Sequence, residues 1–156
     1  MSGLIKSSLA RKYAMALSGL FLVVFLLQHF IINLTSVFSE DVFNEISHFM
    51  GNNPLVQFVL QPVLIFGVIF HFLMGFVLEL KNRSARAQNY AQNKGSANSS
   101  WMSRNMIWSG AVILSFLVLH FIDFWFPEMN YKYIESLPSD PNRYFEEMVH
   151  KFVNPI

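Results

Sequence analysis

The sequence predicts an all-α membrane protein, a bundle of transmembrane helices, and three observations carry that prediction. Only 13% of the residues are charged while 53% are hydrophobic, against about a quarter and a half in soluble domains. Three apolar stretches, 13–34, 55–80 and 107–126, each reach the roughly 20 residues that cross ~30 Å of hydrocarbon. Within them apolar residues run around every face, so neither amphipathic-helix periodicity nor strand alternation is present.

The elements follow in order. Lys6, Arg11 and Lys12 precede the first stretch. Its apolar core is too long for a secretory signal peptide, and no small-x-small cleavage pattern follows it. The loop at 35–54 carries Glu40, Asp41 and Glu45 and no Lys or Arg. After the second stretch the loop at 81–106 carries Lys81, Arg83, Arg86, Lys94 and Arg104 and no acid. By the positive-inside rule the N-terminus and loop 81–106 are cytoplasmic, and residues 35–54 and everything after Phe126 lie outside a cell (inner) membrane. Residues 87–100, rich in Asn, Gln, Ser and Ala, read as a loop. The segment 127–156 is rich in Pro and acid and is read as an outer segment leading toward a further span. Within it 142–153 fits a short interfacial helix, with Tyr144, Phe145, Met148, Val149 and Phe152 on its apolar side.

Composition also excludes chemistry. The chain has no Cys, which rules out disulfides, thiolate-bound iron–sulfur clusters and covalent c-type haem. It has no G-x-G-x-x-G dinucleotide pattern, and a net charge of +1 with few charged residues gives no reason to expect a nucleic-acid partner.

Histidines mark the functional candidates. His29, His71 and His120 place one imidazole in each of the three stretches. An ionisable group inside a bilayer is costly and faces a protein interior or cavity. Counting helix rise, His29 lies about 25 Å and His120 about 24 Å from the cytoplasmic side, whereas His71 lies about 15 Å from it. The first two share a level in the outer half, and the third sits lower. This pattern suits b-type haem: His29 and His120 on the iron of one haem, His71 on the iron of a second. Two imidazoles on one iron leave no open position and favour electron transfer over oxygen chemistry. A proton path through the three histidines is a competing reading. A conventional metal site is another, disfavoured by the depth of His71.

Small residues accompany the histidines. Gly67 and Gly75 lie four residues before and after His71, on its helix face. Ser18-Gly19 and Ser109-Gly110 form a matched pair, each Ser eleven residues before His29 or His120. That spacing puts each Ser about 16 Å inward of its histidine on the same face, near the level of the lower haem. The six residues are read as a slot for the haem edge, with ordinary small-residue helix packing as the alternative. In the outer loop His48 is either a hydrogen-bonding loop residue or part of a quinone site with Asn44 and Glu45. His150 reads as an interfacial surface residue.

These residues resemble a known family. Gln28-His29, Phe43-Asn44 followed by His48-Phe49-Met50, Phe70-His71 and His120, in this order and spacing, are similar to the di-haem, single-polypeptide cytochrome b membrane anchor of succinate dehydrogenase and fumarate reductase. The resemblance covers essentially the whole chain, read as one cytochrome b transmembrane domain over 1–156. It implies five transmembrane helices and four axial histidines, with His29 and His120 on the haem distal to the soluble subunits and His71 on the proximal one. The sequence departs from that pattern, because no helix carrying the fourth ligand is present and His150 does not match it. Either the chain is truncated after Ile156 or the proximal site is incomplete. The resemblance further implies a flavoprotein and an iron–sulfur subunit as partners. They would perform the dicarboxylate chemistry that this subunit does not perform, within the respiratory chain and the tricarboxylic acid cycle. It implies a quinone as well, menaquinone for anchors of this kind. Arg11, Lys12, Arg83 and Arg86 would dock the iron–sulfur subunit, or serve only as the topology signal. Two other identities compete: a cytochrome b anchor of a hydrogenase or formate dehydrogenase, and a haem-free membrane protein.

Overall fold

A computed structural model describes residues 7–84 and 100–153. Among these residues the structure is helical and contains no strand. We name the helices α1 (Ser8–Thr35), α2 (Glu40–Asn52), α3 (Val56–Ser84), α4 (Trp101–Arg104), α5 (Met106–Ile134) and α6 (Arg143–Val153). Helices α1, α3 and α5 are long and apolar enough to cross a membrane, and no residue of their most apolar windows is buried. The chain is a multi-pass membrane protein, and the exposed apolar side chains of these helices are compatible with contact to a lipid bilayer. Most of the inner loop expected at 87–100, with Arg86 and Lys94, lies outside the described residues, as do Lys6 and residues 154–156.

The chain up to His71 together with the segment from Leu137 forms one compact unit. In it α1 ends in a run of polar residues that feed hydrogens to its last carbonyls. Asn33 Nδ2 donates to the His29 carbonyl at 2.8 Å, Thr35 Oγ1 to Ile32 at 2.7 Å and Ser36 Oγ to Asn33 at 2.6 Å. A helix end near hydrocarbon must satisfy these acceptors internally.

The outer loop expected at 35–54 is largely a helix. Ser39 caps α2 by accepting from the Val42 N–H, and Glu40 and Asp41 occupy its first turn, where negative charge complements the helix dipole. Asn53 ends α2 in extended backbone, and its side chain accepts from the Leu55 N–H at 2.9 Å to launch α3. Gln57 Nε2 closes the corner onto the Gly51 carbonyl. The amphipathic α6 packs on α2, and the buried residues among those described, Phe43, Asn44 and Arg143, all sit where the two meet.

The other unit, Phe72–Ser136, contains α4 and α5. The third apolar stretch does not end at Phe126 as the sequence suggested; α5 continues through Pro127 to Ile134. A proline inside a helix lacks its N–H and clashes with the preceding turn. Here Phe121–Trp125 forms a wide turn in which the Phe126 N–H bonds to the Phe121 carbonyl, five residues back. The widened turn shifts the register just before the ring arrives. The same device opens α3, where Val56–Leu60 is wide and Pro62 follows. Helix α5 ends at Ile134, and two residues on Ser136 adopts the left-handed conformation with φ 50°.

Candidate functional site

His71 lies midway along α3 with its imidazole against α1. Its Nδ1 is 2.9 Å from Ser18 Oγ, and Ser18 Oγ is 3.0 Å from the Met15 carbonyl. A hydroxyl has one hydrogen to give. The carbonyl can only accept, so Ser18 donates to Met15 and accepts from His71 Nδ1–H. The ring is thereby fixed as the tautomer with a hydrogen on Nδ1 and a lone pair on Nε2, the form in which a neutral histidine binds a metal. Among the described residues His71 Nε2 makes no hydrogen bond. Gly19 permits this approach: a Cβ there would lie 3.2 Å from His71 Cε1.

The contact also fixes where His71 stands along α1. Ser18 is eleven residues before His29, so the His71 ring lies about 16 Å from the position of His29 along the helix, toward its N-terminal end, where residue counting gave about 10 Å.

The small residues divide by neighbourhood. Gly67 receives the ring of Phe21, since a Cβ there would meet Phe21 Cε1 at 3.0 Å. This contact is of the kind expected for small-residue helix packing, the alternative to the slot. Gly110 has nothing within 4 Å of its Cβ position. Ser109 Oγ donates to the Met106 carbonyl at 3.0 Å. Gly75 lies one turn beyond His71 on α3.

His29 and His120 are half-buried, and each has a phenylalanine one turn before it. The Phe25 and His29 rings stack at 5.5 Å and 20°, and Phe116 and His120 at 5.8 Å and 17°. His120 also meets Phe124 at 5.2 Å and directly precedes the wide turn at Phe121–Trp125. Set beside each other, the two helices carry one template. Met15, Ser18, Gly19, Phe25 and His29 on α1 recur at identical spacing as Met106, Ser109, Gly110, Phe116 and His120 on α5. The sequence reading used only the Ser-Gly-to-His part; alignment of the two spans on their histidines exposes the rest.

Two of the three residues considered for quinone, Asn44 and His48, bond to the segment at the start of α6. Asn44 is 4% exposed, and its Oδ1 accepts the Phe145 N–H at 2.9 Å, satisfying a donor in the first turn of α6. His48 Nε2–H donates to the Pro141 carbonyl at 3.1 Å, Asn52 Nδ2 donates to His48 Nδ1 at 3.4 Å, and the Tyr144 ring packs edge-on against the imidazole. Glu45 is exposed, as is His150. Arg143, buried, pairs with Glu147 at 2.9 Å and lies over the Tyr144 ring. No family model, curated protein or solved structure matches the chain.

Proposed function

We propose that the chain is a cytochrome b membrane anchor that passes electrons between an iron–sulfur subunit and a quinone, as part of a succinate:quinone oxidoreductase. The observation that carries the reading is the state of His71. Its ring is held through Nδ1, its Nε2 lone pair is left for a ligand, and it stands about 16 Å from the level of His29. Such an imidazole suits axial ligation of haem iron, and the level separation suits two haems b stacked across a bilayer. In this proposal His29 and His120 ligate the outer haem and His71 supplies an axial ligand of the inner one. Haem so ligated supplies one-electron transfer without an open coordination position.

The chain's own residues hold and orient the groups. Phe25 and Phe116 brace the outer imidazoles by stacking. Gly19 and Ser18 seat the inner one. A flavoprotein and the iron–sulfur subunit perform dicarboxylate chemistry on the cytoplasmic side, docked through Arg11, Lys12 and Arg83. A quinone, menaquinone by the resemblance, exchanges electrons at a haem edge.

The test is spectroscopic and genetic. The protein purified from membranes should show reduced b-type bands. His29→Ala and His120→Ala should each remove the same haem, and His71→Ala the other. Reduced spectra without b-type bands would overturn the proposal. Co-purification of subunits of a hydrogenase or formate dehydrogenase, in place of a flavoprotein with dicarboxylate activity, would keep the haems and reassign the enzyme.

A further inference from the structure

We propose that Ser18 is a positioning residue for the inner haem ligand. Its hydroxyl accepts the Nδ1–H of His71 and holds the ring in the tautomer that presents Nε2 to iron. This role rests on the haem reading above and deepens it. Three observations combine. The serine's only hydrogen is committed to the Met15 carbonyl at 3.0 Å, so its oxygen faces His71 as an acceptor at 2.9 Å. The neighbouring Gly19 has no side chain to hold the imidazole away, since a Cβ would stand 3.2 Å from Cε1. The backbone carbonyl behind the hydroxyl polarises it, making a chain of two hydrogen bonds that ends on the ring.

An acceptor on Nδ1–H raises the basicity of the ligating nitrogen, and loss of such a partner typically weakens metal affinity roughly 10- to 100-fold. The experiment compares Ser18→Ala, Ser18→Thr and the parent, each purified from membranes as the assembled complex. Haem content and the midpoint potential of each haem are read by optical redox titration, with the low-spin ferric signals followed by electron paramagnetic resonance.

Ser18→Ala should lower occupancy of the inner haem by that factor under haem limitation, raise its potential, and leave the haem of His29 and His120 unchanged. Ser18→Thr, which keeps the hydroxyl, should restore both properties. An inner haem indifferent to Ser18→Ala, or both haems shifted equally, would overturn the role of Ser18 as more than packing. A parent without b-type bands would overturn the proposed function together with this role, whereas a haem-loaded parent with an indifferent Ser18→Ala overturns this role alone.

Discussion

Replacing Asn44 with Ala should release α6 from α2. Asn44 is 4% exposed, and its Oδ1 accepts the Phe145 N–H at 2.9 Å. That N–H belongs to the first turn of α6, whose amides have no intrahelical acceptor. Losing a cap costs about 1 kcal/mol, and leaving a buried donor without a partner costs about 1–3 kcal/mol. These overlap, so about 2 kcal/mol is the combined expectation. At about 1.4 kcal/mol per decade, the open population of α6 should rise roughly 30-fold. Hydrogen exchange measured by mass spectrometry in lipid nanodiscs reads this directly on peptides covering Arg143–Val153. Asn44→Asp keeps the acceptor and adds negative charge at a helix N-terminus, so it should exchange close to the parent. Unchanged protection of α6 in Asn44→Ala would refute the capping argument. If that variant instead altered only inhibition by a quinone analogue, Asn44 would belong to a quinone site.

Other perturbations test other joints. His48→Ala should also speed exchange in α6, and the double variant with Asn44→Ala should fall short of the summed effects, because both side chains hold the same segment. Gly67→Leu drives a side chain into the Phe21 ring, already 3.0 Å from the Cβ position. It should lower the thermal midpoint by an overpacking cost of about 1–3 kcal/mol, and Phe21→Ala should recover part of it; an unchanged midpoint would remove Gly67 from the helix contact. The absence of Cys makes single-cysteine labelling clean. With the positive loops inside, Ser39→Cys should react with a membrane-impermeant maleimide in intact cells and Ser100→Cys only after permeabilisation, and the reverse pattern would invert the topology.

The spans were legible because they depend on length and hydropathy, which a sequence states outright. The wide turns were not. Pro127 reads as a helix end by every local rule, and only the five-residue hydrogen bond to Phe121 explains why α5 continues to Ile134. Helix α2 was hidden by its position between two spans, although Ser39 followed by Glu40 and Asp41 is a helix start signal. In the site, residue counts separate His71 from His29 along the helices, since helix rise converts a count into a distance. The partner of His71 was not legible. Spacing placed Ser18 at the right height, but which atom it offers to His71 depends on how α1 and α3 are rotated about their axes, and no residue count contains that angle. The partners of Asn44 and His48 were not legible for the same reason, although His48 read as a hydrogen-bonding loop residue among its alternatives: both bond to a segment about a hundred residues away, at Phe145 and Pro141.

The division of labour between the outer cap and the spans follows from the solvents they meet. In hydrocarbon, lipid tails are as apolar as Leu, so apolar contact between helices gains little and association relies on packing and polar bonds. The structure places its polar bond there, His71 to Ser18, with the close glycine contacts at Gly19 and Gly67 beside it. Where the chain meets water, burial of apolar surface becomes worthwhile. Among the described residues the buried ones, Phe43, Asn44 and Arg143, lie where α2 and α6 meet. Since α2 directly joins α1 to α3, docking α6 on it constrains the joint that sets how those two spans are offered to each other. A rotation of either by a fraction of a turn would break a 2.9 Å bond between Ser18 and His71. The cap is therefore expected to act on the inner ligand from outside the membrane, so loosening it at Asn44 should broaden the spectroscopic signal of the inner haem before it releases any haem.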